Sequence, residues 1–237
     1  MGRAFEFRKG RKMKRWDAMA KGFTRLGKEI ALAVKTGGPD PSNNARLRVA
    51  MQNAKGINMP KDRIEAAIKR ASSKDESGYE EVVYEGYGPG GVAILAECAT
   101  DNINRTVANI RSHYNKCGGS LGKTGSLDFI FTRKGVFKIN PEGRDIEELE
   151  LELIDFGLEE IQQDEDEEVW YIYTPFEEFG NMSKGLETLG IEPITSELQR
   201  IALSEMEVPE ELVEDVIKLI ERIEEDDDVQ NVYHNMK

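Results

Sequence analysis

The sequence predicts an α+β protein in which an N-terminal three-helix basic domain precedes two α/β sandwich domains, the last of them ferredoxin-like and inserted into the middle one. Three observations carry this. Residues 1–70 hold 18 Lys+Arg against 6 Asp+Glu, a balance of +12, while the remainder holds 14 against 39, a balance of -25. Apolar residues recur at helical spacing in the basic third and change after Gly78 to alternating strand-like and helix-like runs. The segment 207–237 offers one helix and one strand, too little for a domain of its own, whereas the middle part lacks both.

Residues 1–15 concentrate Arg3, Arg8, Lys9, Arg11, Lys12, Lys14 and Arg15 around Phe5 and Phe7. So few apolar groups do not offset the entropy of ordering, and a disordered arm is predicted. From Met13 the stripe Met13, Trp16, Ala20, Phe23, Leu26, Ile30 and Val34 predicts a helix. Gly22 and Gly27 each weaken it by about 1 kcal/mol relative to Ala, and Gly37-Gly38-Pro39-Asp40-Pro41 ends it. Ser42 is placed to cap a second helix with Leu47, Met51 and Ala54 inward and Arg46, Arg48 and Lys55 outward. Gly56 breaks that helix. Pro60 opens a third, with Ile64, Ala67, Ile68 and Ala71 on one face. The polar stretch Ser72 to Gly78 is a linker, so the first domain is residues 1–77.

Tyr79 to Tyr84 predicts a strand, Gly86 to Gly91 a turn and Val92 to Cys98 a buried strand. Thr100 or Asp101 caps the next helix, whose face is Ile103, Val107, Ile110 and Tyr114, and whose exposed first turn carries Asn102, Asn104 and Arg105. Gly118-Gly119 stops it. Leu127, Phe129 and Phe131 then alternate as a half-buried strand. From Gly135 a new rhythm starts: strand 136–139, helix 146–154, strands 158–162 and 169–173 around the acidic turn Asp164 to Glu168, helix 177–189 and strand 191–203. This β-α-β-β-α-β order is ferredoxin-like. After Val208-Pro209 comes a helix with Leu212, Val216, Leu219, Ile220 and Ile223 inward, then the strand Val229 to Tyr233. The expected division is therefore 1–77, then 78–133 with 207–237, with 134–206 inserted.

The central stretch reads Tyr84-Glu85-Gly86-Tyr87-Gly88-Pro89-Gly90-Gly91, then Thr100-Asp101-Asn102-Ile103-Asn104-Arg105-Thr106, then Gly118-Gly119-Ser120-Leu121-Gly122. In order and spacing it resembles the YebC family, whose mitochondrial relative is the translational activator of cytochrome c oxidase subunit I. The resemblance extends through Asn58-Met59-Pro60-Lys61-Asp62 and covers essentially the whole chain. It implies a three-domain architecture and a cytoplasmic, non-enzymatic regulator that binds DNA in transcription. Other members of the family resemble translation factors acting on the ribosome, including at stalled proline-rich stretches. Many members open with a His-Ser-Lys-Trp segment; Gly2-Arg3-Ala4-Phe5-Glu6-Phe7-Arg8-Lys9 stands here instead, so only the charge of the arm is carried over.

Lys/Arg contacts to phosphate supply affinity without reading sequence. The predicted nucleic-acid contacts are Arg8, Lys9, Arg11, Lys12, Lys14 and Arg15 of the arm, Lys21, Arg25 and Lys28 of the first helix, and Arg46, Arg48 and Lys55 of the second. Lys61, Lys69 and Arg70 either join them or solubilise the third helix. A separate candidate surface comprises Tyr84, Tyr87, Asn102, Asn104, Arg105 and Lys123. There the tyrosines would stack on unpaired bases and the helix start would hold an anion, unless the tyrosines are core and the asparagines are caps. The expected partner is DNA and/or ribosomal RNA, with the ribosome as a candidate assembly, and neither a membrane nor a small-molecule substrate. No run approaches the ~20 apolar residues needed to span a bilayer.

No catalytic residue, metal or cofactor is expected. His113 and His234 lie far apart, and Cys98 and Cys117 have no ligand-spaced neighbour, which suits a reducing cytosol. Cys117-Gly118-Gly119-Ser120-Leu121-Gly122-Lys123-Thr124 comes close to a phosphate-binding loop and so to a nucleotide hydrolase. Cys117 stands where that loop requires Gly, and the segment leaves a helix rather than a strand. No helix-turn-helix signature with clear base-reading residues is visible.

Overall fold

The computed structural model describes residues 3–73, 78–164 and 168–237, with the side chains of the first helix from residue 19 onward. The chain forms two compact units, Met1–Tyr79 and Glu80–Lys237.

The first unit is helical: α1 Arg3–Gly37, α2 Ala45–Gly56 and α3 Lys61–Ala71. Its core joins Ile30, Ala33 and Val34 of α1 to Leu47, Ala50 and Ala54 of α2, Met59 of the connection and Ile64 of α3. The helix begins at Arg3, where composition predicts a disordered arm. Residues 3–16 contain no Pro and hold four Arg and three Lys, which favour helix. The predicted Ser42 cap is also corrected. Asn44 caps α2, its side chain accepting from Leu47 N at 3.0 Å. The same buried side chain donates to Ala33 O at 2.7 Å and Gly38 O at 2.8 Å. One amide thereby satisfies the end of α1 and the start of α2, which a short serine hydroxyl at position 42 does not reach. Ala50, not Met51, takes the central buried place on α2.

The second unit holds two antiparallel four-stranded sheets. The first runs β3-β1-β2-β8, from β1 Glu80–Tyr87, β2 Ala93–Thr100, β3 Ser120–Leu121 and β8 Val229–His234. The second runs β5-β6-β4-β7, from β4 Phe131–Ile139, β5 Glu160–Asp164, β6 Val169–Pro175 and β7 Thr195–Ala202. Helices α4 Ile103–Lys116 and α7 Glu210–Glu224 cover one face of the first sheet, closing a core of Ile94, Ala96, Ile110, Tyr114, Val216, Leu219 and Ile223. Helices α5 Ile146–Leu153 and α6 Phe179–Thr188 cover the second, around Phe137, Ile139, Leu149, Leu153, Ile172, Met182 and Leu186. Behind the first sheet, Ala93 and Leu95 meet Leu127 and Phe131, with Ala202 alongside. Strand β8 pairs with β2 although more than a hundred residues separate them, Leu95 facing Tyr233.

Several local expectations change. The strand predicted to end at Tyr84 continues to Tyr87, with Gly86 opposite Ile94 in the ladder. A Cβ at Gly86 would sit 2.6 Å from Ser120 O and 2.7 Å from the Tyr114 ring, so this glycine serves close approach rather than a turn. The turn is confined to Pro89–Gly91, where Gly90 has φ 71°. Asn102, not Thr100 or Asp101, caps α4, accepting from Arg105 N at 3.0 Å. Thr106 replaces Ile103 on the buried face; Ile103, the first residue of the helix, is exposed. Residues 127–130 form turns rather than a strand, leaving Phe129 exposed while Leu127 and Phe131 are buried.

Candidate nucleic-acid interface

In the helical unit the predicted cations divide. Lys21, Arg48 and Lys55 are exposed, and Arg25 and Arg46 are half-buried. Arg48 donates to Pro41 O at 2.7 Å and Ser42 O at 3.0 Å, so it braces the loop before α2 while remaining at the surface. Lys28 is corrected: it is 6% exposed, with its ammonium 5.2 Å from the centre of the Tyr79 ring. A cation enclosed over an aromatic face contributes to packing and offers little to an external phosphate. The α1 backbone carries Arg8, Lys9, Arg11, Lys12, Lys14 and Arg15, whose side chains lie outside the described residues. On α3, Lys61 pairs with Glu65 at 3.6 Å, and Arg63 lies over the Phe23 ring at 5.6 Å.

The second candidate surface is only partly assembled. Tyr84 is buried in the core between sheet and helices, its hydroxyl 3.5 Å from Ile103 O, and burial raises its pKa. Its ring cannot stack on a base. Tyr87, three positions on, points to the opposite face and packs beside Ala93 and Leu127. Asn102 is occupied as the cap, whereas Asn104 is exposed.

Arg105 sits in the first turn of α4, and its guanidinium donates to Asp101 Oδ1 at 2.8 Å and Asp228 Oδ2 at 2.6 Å. The Asp228 hydrogen bond, then that of Asp101, raises the arginine pKa. Asp228 is itself buried, and its Oδ2 also accepts from Thr106 Oγ1 at 2.8 Å and Thr100 Oγ1 at 3.1 Å. Its backbone carbonyl accepts from Ala99 N at 2.8 Å. One carboxylate thus ties the start of α4, the end of β2 and the turn before β8. Beside it Asp226 Oδ2 accepts from Asn109 Nδ2 at 3.1 Å and lies 3.5 Å from His113 Nε2. Nothing local marks Asp228, the last of three consecutive aspartates in the sequence.

The glycine loop carrying Lys123 is organised by a residue that sequence reasoning also passed over. Glu85 on β1 is 4% exposed. Its carboxylate accepts from Gly125 N at 2.8 Å and Leu127 N at 2.7 Å, and its backbone O accepts from Gly122 N at 2.7 Å. In a phosphate loop such amides face the nucleotide; here three of them are committed to Glu85. Lys123 itself is exposed. Among the described residues no three His, Cys, Asp or Glu side chains are arranged to hold a metal ion, and no helix is long and apolar enough to cross a membrane.

Residues 3–74 match the family model of the TACO1/YebC protein N-terminal domain, and residues 79–236 match that of the TACO1/YebC second and third domain. A Flavobacterium johnsoniae protein named "Probable transcriptional regulatory protein" is 60% identical over 237 residues, covering 100% of this chain and 99% of its own. A Cytophaga hutchinsonii protein of the same name is 61% identical over 236 residues, covering 100% of this chain and 98% of its own. A crystal structure of a conserved hypothetical protein from Aquifex aeolicus superposes with a TM-score of 0.82 at 40% identity, covering 92% of this chain and 90% of that one. With both models matched in series along its length, the chain belongs to the TACO1/YebC family.

Proposed function

We infer that this protein is a non-enzymatic, cytoplasmic regulator of transcription that binds DNA through its basic helical unit. The observation that carries this is the balance of +12 over residues 1–70 in a chain of net charge -13. A cationic module on an anionic body directs phosphate to one end and repels it elsewhere. The names of the full-length relatives support the regulatory reading. Lys21, Arg48 and Lys55, with the six cations of residues 8–15, carry the binding; Lys28 is withdrawn from the set because it is enclosed. No cofactor, metal or small-molecule substrate takes part.

Contacts of this kind hold the phosphate backbone without reading bases, so sequence preference comes from elsewhere or is weak. Neutralising about six phosphates gives a log-log salt slope near -5 on duplex DNA. Affinity that does not change with salt would overturn the proposal. Charge reversal at Arg11, Lys12 and Arg15 weakens binding to all sequences alike. The same basic unit on an acidic body also suits docking into an RNA-protein assembly, as in a ribosome-associated translation factor. Crosslinking in cells followed by sequencing of bound DNA and RNA separates the two: promoter DNA supports transcription, and enriched ribosomal RNA would replace it with translation.

A further inference from the structure

The second unit is acidic, but one stretch of it is not. Residues 102–127 hold Arg105, Arg111, Lys116 and Lys123 and no Asp or Glu, within a remainder of balance -25. Helix α4 fills most of that stretch and, of α4 to α7, it alone carries no carboxylate. Thr106, Ile110 and Tyr114 are its buried face. At 3.6 residues per turn, Ala108, Arg111, Ser112 and Asn115 fall on the side away from the core. That side bears an open depression of about 400 Å³ lined by Ala108, Arg111, Ser112, Asn115 and Lys116.

Several cations of the unit are neutralised by carboxylates. Arg105 is held by Asp101 and Asp228, Arg200 by Glu97 at 2.8 Å, and Lys134 by Glu159 at 2.8 Å. Arg111 and Lys116 have no carboxylate within ion-pair distance among the described residues. Both are exposed, so their charge is open to an external anion. The surrounding carboxylates repel a polyanion from the rest of the unit, which focuses it on this face.

We propose that the outer face of α4, from Ala108 to Lys116, is a second phosphate-binding surface for duplex DNA, separate from the basic helical unit. Arg111 and Lys116 provide charge, and the Ser112 hydroxyl and Asn115 amide provide neutral donors of the kind that fix register on a backbone. The proposal rests on the DNA-binding reading above and extends it to the acidic unit.

The test uses the full chain and a fluorescent DNA duplex, with affinity measured against salt. The double variant R111Q/K116Q removes two phosphate contacts and makes the log-log slope shallower by about 1.8. The double variant K184Q/R222Q makes the same charge change on exposed positions of α6 and α7 and leaves the slope at the wild-type value. A wild-type slope in R111Q/K116Q, or an equal change in the control pair, overturns the proposal while leaving binding by the helical unit intact. A change seen on a ribosomal RNA fragment and not on the duplex overturns it as well. Wild-type protein that shows no salt-dependent DNA binding overturns both readings.

Discussion

Arg105 donates to Asp228 Oδ2 at 2.6 Å across 123 positions of sequence, and this pair fixes the start of α4 against the turn that leads into β8. Asp228 is 7% exposed at its side chain and Arg105 47%, so the carboxylate is the enclosed partner. Replacing Asp228 with Ala removes the acceptor shared by Arg105, Thr100 and Thr106 and costs about 1–3 kcal/mol. Arg105→Ala lowers the melting temperature, whereas Asn104→Ala, at an exposed position without a structural partner in this network, leaves it unchanged. Thermal melts of the three variants check the order. An Arg105→Ala protein as stable as wild type, yet impaired in DNA binding, would move Arg105 from a positioning role to a direct contact.

Gly86→Ala places a methyl group 2.6 Å from Ser120 O and 2.7 Å from the Tyr114 ring. Neither the β3 backbone nor a wholly buried ring yields easily, so a loss of about 1–3 kcal/mol is expected. Chemical denaturation measures it, and a neutral result would show that β3 moves aside.

Tyr114 is fully buried, and its hydroxyl donates to Ile94 O at 2.8 Å. Burial raises its pKa above the ordinary 10.0, and burial also raises that of Tyr233. A folded-state pKa above the unfolded one means that stability is present in full below pH 10 and falls as pH rises beyond it. Denaturation between pH 8 and pH 11 therefore shows a decline that starts near 10. Tyr114→Phe costs about 1 kcal/mol at pH 8 through the lost hydrogen bond and declines less steeply above pH 10. Parallel curves would remove Tyr114 as a cause.

Truncation to residues 1–206 removes β8 from the edge of β2 and strips Val216, Leu219 and Ile223 from the core beneath the first sheet. This pairing supports assigning 207–237 to the same domain as 78–133, with 134–206 inserted. The truncated chain is expected to aggregate, and Leu219→Ala alone to cost about 2–5 kcal/mol. A soluble fragment that unfolds cooperatively would separate the segment from that domain.

Calorimetric titration with ATP or GTP is expected to give no heat of binding, because Gly125 N and Leu127 N already donate to Glu85. Micromolar affinity that disappears in Lys123→Ala would reverse this.

Element order, the antiparallel ferredoxin-like sheet and the split of charge were legible because they follow from local periodicity and composition. The stripe on α7 and the alternation in β6 report which face is buried whatever lies opposite. Caps were less legible. Ser42 and Asn44 are equally good candidates by type, and Asn44 prevails because its amide also reaches Ala33 O. Glu85, Lys28 and Asp228 were illegible for a further reason: a charged side chain reads as solvated until its partners are known.

By itself, then, the sequence determined the family, the helices and strands, and which end of the chain carries the positive charge, since these depend on residue type and short-range spacing. Only the tertiary structure decided which charges are spent internally. Arg105 faces Asp228 because β8 returns to pair with β2, and the glycine loop closes on Glu85 because β1 lies beneath it. Both depend on chain segments that meet only after folding, where losing water makes pairing of the buried carboxylate obligatory.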